Sequence, residues 1–413
     1  MLVRFAPPFL AAAAAALVLG ACSPGGSSGD RGTADAGDAA SPSAGATAER
    51  PATTEPTTED APEDELRVTT FGWSTDFSRH EVPLGEFIGG GPGKDGIPAI
   101  DEPKFQPISD VDWLEDQEPV IAVGIDEQWR AYPIQILVWH EIVNDNLAGQ
   151  PITVTFCPLC HTGITFNREL DGQTFDFGVT GNLRHSDLVM YDRQTETWWQ
   201  QATGQAVVGE LSGKQLEILP SQLMSWEQFR TLHPAGEVLS RETGHSRPYG
   251  DNPYAGYDSV DTNPFLLDDF SLIDGRLSPK VRVVGVIVGD DAAAYPFPDL
   301  AEAGVVNDEV ADTPLVVLWA PGTASGLGAS TVAGGELVGA AAVYDRRTDE
   351  GTLTFEPAGD GLMTDAETDS TWSFDGVATD GPMRGARLDP IPNDQPFWFA
   401  WGIFQPDARI WQP

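Results

Sequence analysis

The feature that most constrains this chain is that it repeats parts of its own sequence at one spacing. Ala131-Tyr132-Pro133 returns as Ala294-Tyr295-Pro296, and Val143-Asn144-Asp145 as Val306-Asn307-Asp308, both displaced by 163 positions. At the same displacement Thr155-Phe156-Cys157-Pro158 faces Leu318-Trp319-Ala320-Pro321. One ungapped offset across separate motifs is the mark of an internal duplication. With small gaps, Tyr191-Asp192-Arg193 is matched to Tyr344-Asp345-Arg346, and Gly213-Lys214-Gln215-Leu216 to Gly385-Ala386-Arg387-Leu388. The expected fold is mainly β (α+β): two tandem related β-rich lobes with short edge helices. Lobe one covers about 110–240, a connection about 241–280, and a degenerate lobe two about 281–413.

Local patterning agrees. The run ITVTFCPLCHTGITF at 152–166 alternates Ile152, Val154 and Phe156 with threonines, then resumes at Ile164 and Phe166. That is the period of two half-buried strands, with Pro158 and Gly163 breaking the chain between them. PVIAVG at 119–124 reads as another strand. Tyr132-Pro133 introduces a helix expected from Ile134 to about Asn144, which places His140-Glu141 near its middle. Ser225-Trp226-Glu227-Gln228 fits a capping box opening a helix that Pro234 ends. Residues 240–280 carry no periodicity.

The N-terminus reads as a leader. Residues 1–22 have Arg4 ahead of an apolar stretch too short to span a bilayer, closing on Leu19-Gly20-Ala21-Cys22. This resembles a bacterial lipoprotein box, so Cys22 is the expected lipidation site. The mature protein would then be held outside the cytoplasmic membrane by its acyl chains. Residues 23–66 are Ser, Gly, Ala, Thr, Pro, Asp and Glu with almost nothing to bury, an expected disordered acidic linker. The chain carries a net charge of −40; its first 66 residues hold 10 acids and 3 bases, so 53 acids and 20 bases belong to the rest. A field of that sign argues against nucleic acid and anionic headgroups as partners.

Several long motifs resemble one family. RAYPIQILVWHEIVND, VTFCPLCHTGITF, GNLRHSDLVMYDRQTETWWQ, NPYAGYDS and SPKVRVVGV are similar, in order, to the bacterial and archaeal domain of unknown function 3179. The resemblance covers roughly 67–413 and implies no activity. It also implies a small residue, often Gly, where this chain has His161.

The repeat serves as an internal control. Groups kept in both copies are read as fold-makers, and those of the first copy alone as candidates for chemistry. Cys157 maps to Ala320, Cys160 to Thr323, His140 to Ala303 and Glu141 to Gly304. With Cys22 assigned to lipid, Cys157 and Cys160 are the remaining thiols, and His140, His161, His185 and Met190 are soft or borderline donors in the same copy. Two thiolates with a histidine or methionine suit copper or zinc, copper ranked first. The alternatives are a thiol–disulfide redox pair, which needs a nearby cation to lower one thiol's pKa, and a plain structural disulfide in an interaction module. Cys157-x-x-Cys160-His161 also matches the c-type haem motif, but flanking strands and Pro158 disfavour it. Gly89-Gly90-Gly91-Pro92-Gly93-Lys94 lacks the ending and frame of a phosphate loop, and no Gly-x-Ser-x-Gly elbow is present.

Overall fold

Why the chain turns where it does is clearest at the first helix. Ile134–His140 is a seven-residue helix, and Glu141 ends it in a left-handed conformation, φ 59°. The expected continuation to Asn144 is therefore corrected: Ile142–Leu147 is a strand. Ile142 and Val143 are β-branched and suit a pleated, buried position better than a helical one. His140 and Glu141 consequently sit at the helix end, not its middle.

The computed structural model describes residues 65–260 and 262–413. The leader at 1–22, the lipidation site Cys22 and nearly all of the linker lie outside the described residues. The described chain is mainly β, with a few short helices. Pro119–Ile125 and Gln128–Pro133 form a hairpin, flanked by Gln222–Ser225 on one side and, in parallel, Glu237–Leu239 on the other. A second sheet runs Ile142–Leu147, Gln150–Cys157 and Thr162–Asn167. A third contains Phe177–Arg184, Asp187–Asp192, Trp198–Gln200 and Gln205–Val208. The capping box is formed as expected, with Ser225 and Gln228 bonding reciprocally ahead of the helix Trp226–Leu232.

The same order of elements recurs from 283 to 410. Val283–Val288 and Asp291–Pro296 pair, flanked by Asn393–Asp394 and, in parallel, Arg409–Ile410. Val305–Val310, Thr313–Ala320 and Ala340–Asp345 follow, then a meander from Phe355 to Asp380. Side-chain bonds repeat as well. Tyr132 donates to Asp145 at 2.6 Å and Tyr295 to Asp308 at 2.9 Å. The Asn144 amide donates to the Phe177 carbonyl and accepts from its N–H; Asn307 does the same with Phe355.

One expected match is in a different place. Arg168 donates to the Phe175 carbonyl and Arg346 to that of Leu353, so Tyr344-Asp345-Arg346 stands where Phe166-Asn167-Arg168 does. The counterpart of Asp192 is Asp365: each accepts a bond from an indole, Trp199 or Trp372, at 2.9 Å. Gly213 and Leu216, by contrast, share their contacts with Gly385 and Leu388: the first pair bonds Ala206 and Gly204, the second Ala378 and Gly376.

The two halves share one apolar cluster, in which Val120, Ala122 and Trp226 meet Leu318, Tyr344 and Trp372. Each half also bonds to the other from the antiparallel strand that flanks its own hairpin. Gln222 bonds to Tyr344, and Asp394 accepts from the Gly163 N–H at 2.8 Å.

Candidate functional site

The turn between Gln150–Cys157 and Thr162–Asn167 spans four residues, Pro158 to His161, and Cys157 pairs with Thr162 across its base. His161 closes it with φ 57°. Glycine adopts that backbone region at little cost, whereas other residues are strained there. The position is therefore conformational first. The His161 ring points into protein: Nδ1 bonds the Gln395 carbonyl at 2.9 Å, and Phe156 and Phe397 pack beside it. Burial, helped by Arg282, holds its pKa well below the usual value, so it is neutral.

Behind the turn stands the second half. The N–H of Phe397, at the entry to the helix Trp398–Phe404, donates to the Cys160 carbonyl at 2.9 Å. Over its front reaches the hairpin Phe177–Arg184/Asp187–Asp192. His185 and Ser186 turn it with φ 55° and 69°, and both thiols lie against the Ser186 carbonyl, Cys160 at 3.4 Å and Cys157 at 3.9 Å. The hairpin also delivers Asp187. Cys157 Sγ, Cys160 Sγ and an Asp187 carboxylate oxygen all lie within 4.8 Å of one another, and all three residues are buried. Both cysteines are free thiols.

Of the residues singled out from the sequence, Cys157 and Cys160 are together, and the third member of their cluster is Asp187. His140 and His161 are not in it. His140 is occupied elsewhere, Nδ1 with the Pro98 carbonyl at 2.7 Å and Nε2 with the Tyr249 hydroxyl at 2.6 Å. Burial takes its pKa down to about 4, against the opposing pull of the Pro98 carbonyl. His185 faces Glu86 at 3.2 Å. Met190 is fully buried in the core, its strand neighbours being Val179 and Trp199.

Sequence reasoning missed Asp187 and passed over Glu141. Asp187 is fully buried and held by the Gln200 amide and the Ala202 N–H. Burial raises its pKa to about 6, against the lowering effect of those bonds. Glu141 is 7% exposed. Burial, then the charge of Asp187, raises it to about 8, and no hydrogen bond among the described residues relieves it. Burial pushes both thiols up as well. The Asp187 charge adds to this at both sulfurs and the Glu141 charge at Cys157.

Glu141 also lines a cavity of about 610 Å³. Leu159 and Leu188, chain neighbours of Cys160 and Asp187, form part of its wall. Val179 and Leu183 add to it, and the connection between the halves supplies Tyr254, Tyr257 and Lys280. Tyr257 ties this strap to the thiol turn by donating to the Leu159 carbonyl at 3.0 Å, and Ser186 donates to the Phe265 carbonyl at 2.6 Å. Lys280 is held by the Tyr257 carbonyl and the Thr262 hydroxyl. Thus the stretches WHEIVND, CPLC, RHSD, NPYAGY and SPK, scattered over some 140 positions, meet around one place.

No curated protein and no solved structure matches this chain. A family model does, over residues 94–408: the chain belongs to the family described as protein of unknown function, DUF3179.

Proposed function

We propose that Cys157, Cys160 and Asp187 hold one divalent metal ion of the zinc class. The observation that carries this is the grouping of three anionic-capable donors in a buried place where the neighbouring charges are themselves negative. Such a group is costly to ionise without a cation. A bound metal deprotonates its thiol ligands and turns the mutual repulsion into coordination. The three ligand atoms already lie within 4.8 Å of one another, so reaching the roughly 3.5–3.8 Å between ligand atoms on a tetrahedral zinc asks only for small side-chain movements. A carboxylate oxygen as third donor, in place of a thioether or imidazole, favours zinc over copper. Three protein ligands leave a fourth position open, the arrangement of reactive rather than purely structural zinc.

The redox reading is weaker on the same geometry. A reactive thiolate needs a lowered pKa, and burial and acidic neighbours act the other way on both sulfurs. The test is metal titration of reduced, anaerobically purified protein. We expect about one zinc per chain and a higher melting temperature with it, since a ligand that binds only the folded state stabilises it. Cys157→Ala/Cys160→Ala should abolish both effects and Asp187→Asn weaken them. Reduced protein that takes up no zinc, yet cycles readily between dithiol and disulfide, would hand the site to redox chemistry.

The lipobox supports a lipid-anchored, extracytoplasmic location for this site. Cys22→Ala should release the chain from membranes or block its processing; unchanged membrane fractionation would end that reading. The recurring elements and contacts support descent of the two halves from one duplicated unit.

A further inference from the structure

Glu141 is a costly residue for its position. It ends a helix with positive φ, where the other half has Gly304 at φ 70° doing the same conformational task. Both backbones then bond identically: the N–H reaches back to Leu137 or Leu300, and the carbonyl accepts from Phe156 or Trp319. Glycine suffices for the fold. The glutamate adds left-handed strain and a buried carboxyl that forms no hydrogen bond among the described residues. It stands outside the cysteine–aspartate cluster. What it does have is the cavity.

That cavity, at about 610 Å³, is far larger than a metal ion needs and falls in the range of small-molecule sites. Val179, Leu183, Leu188, Tyr254 and Tyr257 make much of its wall apolar or aromatic. Lys280 is the cationic side chain of the lining, but its ammonium is already taken by the Tyr257 carbonyl at 2.6 Å, the Thr262 hydroxyl at 2.7 Å and the Tyr257 ring at 3.7 Å. It pairs with no carboxylate among the described residues, and it does not neutralise Glu141.

We propose that this cavity binds a small organic ammonium compound, its cation against the Glu141 carboxylate and its apolar body against Tyr254, Tyr257 and the leucines. An ammonium supplies the counter-charge that Glu141 lacks, and tyrosine faces add attraction for a cation in a desolvated place. The acidic body of the protein raises the local concentration of such ligands. Selection for a cation explains why a carboxylate stands where glycine would be easier. The inference rests on the cavity and on Glu141, so it survives or fails separately from the metal reading.

Phenethylamine and its neutral counterpart 2-phenylethanol serve as probes, titrated into the whole chain by calorimetry just above pH 8, where Glu141, raised to about 8, is ionised and the amine is still a cation. The amine should bind about tenfold or more tightly than the alcohol, the difference a charge-assisted bond makes. Glu141→Gln keeps the size and hydrogen-bonding capacity but not the charge, and should remove that preference. Glu141→Gly, the residue of the other half, should lose amine binding while folding at least as well. Cys157→Ser/Cys160→Ser should bind the amine as wild type does, whatever has happened to its zinc. Equal binding of amine and alcohol, no binding of either, or full amine preference in Glu141→Gln would each overturn the proposal.

Discussion

In the first half the chain turns from Gln150–Cys157 into Thr162–Asn167 over four residues, and a long hairpin of eight- and six-residue strands reaches across that turn. In the second half the equivalent strands Thr313–Ala320 and Ala340–Asp345 are separated by residues 321–339, while the hairpin shrinks to Phe355–Gly359 and Leu362–Asp365. The short hairpin comes so close that a Cβ on Gly361 would lie 2.7 Å from that of Ala320. Side chains alone therefore do not distinguish the halves. The first half has backbone arranged over its turn with room for two sulfurs and a carboxylate; the second has filled that room with backbone. It keeps the scaffold role, supporting the thiol turn through Asp394, Gln395 and Phe397.

If the second half is a scaffold, damage to it must reach the first. Trp372 is fully buried, its indole bonded to Asp365, in the cluster that both halves share. Trp372→Ala should cost about 3–5 kcal/mol, the range for emptying a large core site. Denaturant unfolding should remain one cooperative transition with a lower midpoint. A second transition, with the first half melting at its wild-type midpoint, would break the comparison by showing two independent halves.

The next effect separates the two helix ends by pH. In metal-free protein the Glu141 carboxyl is raised from 4.5 to about 8. The folded state then holds a proton that the unfolded state releases. Its contribution to stability is full below about pH 4.5 and is lost as pH rises through about 8. Asp187, raised to about 6, acts in the same direction over a lower window. Glu141→Gln should remove a decline amounting to a few kcal/mol, read as the difference between the two variants' stability curves. A wild-type curve parallel to that of Glu141→Gln would show that the carboxyl is better solvated than its burial implies. Glu141→Gly, removing strain and a buried carboxyl without a hydrogen-bond partner among the described residues, should stabilise the metal-free protein by about 1–2 kcal/mol at neutral pH.

The residues show why much of this was legible and some was not. The fixed offset depended on fold-makers whose contacts are local in each half, such as Tyr132 with Asp145 and Tyr295 with Asp308, so sequence spacing carried them faithfully. The Tyr191-Asp192-Arg193 match failed because the insertion at 321–339 breaks the offset, and similar letters then outweighed contacts that only three dimensions reveal. Asp187 left no periodic signal: it reaches the thiols through the length of a hairpin, not through spacing. Glu141 did leave one. Its counterpart is Gly304, and a glycine opposite a glutamate at the end of a hydrophobic helical run points to a left-handed position. Reading the helix on to Asn144 hid it.

The smallest effect tests the claim that groups present in both halves make the fold and not the site. Tyr132 and Tyr295 each donate to an aspartate that also pairs with an arginine, Arg130 for Asp145 and Arg409 for Asp308. The settings differ in depth, with the Asp145 side chain 6% exposed and that of Asp308 20%. Deleting either hydroxyl leaves its aspartate with its arginine, so each loss stays near one hydrogen bond, about 1 kcal/mol. The deeper pair should lose more, because water replaces the missing donor less easily there. We therefore expect Tyr132→Phe to lower the unfolding midpoint more than Tyr295→Phe, while zinc stoichiometry and amine preference stay unchanged in both. Tyr132→Phe lies in the half that carries the site, so it is the sharper of the two. If it weakened zinc or amine binding without a matching loss of stability, the hydroxyl would belong to the site, and recurrence in both halves would no longer mark a residue as scaffold.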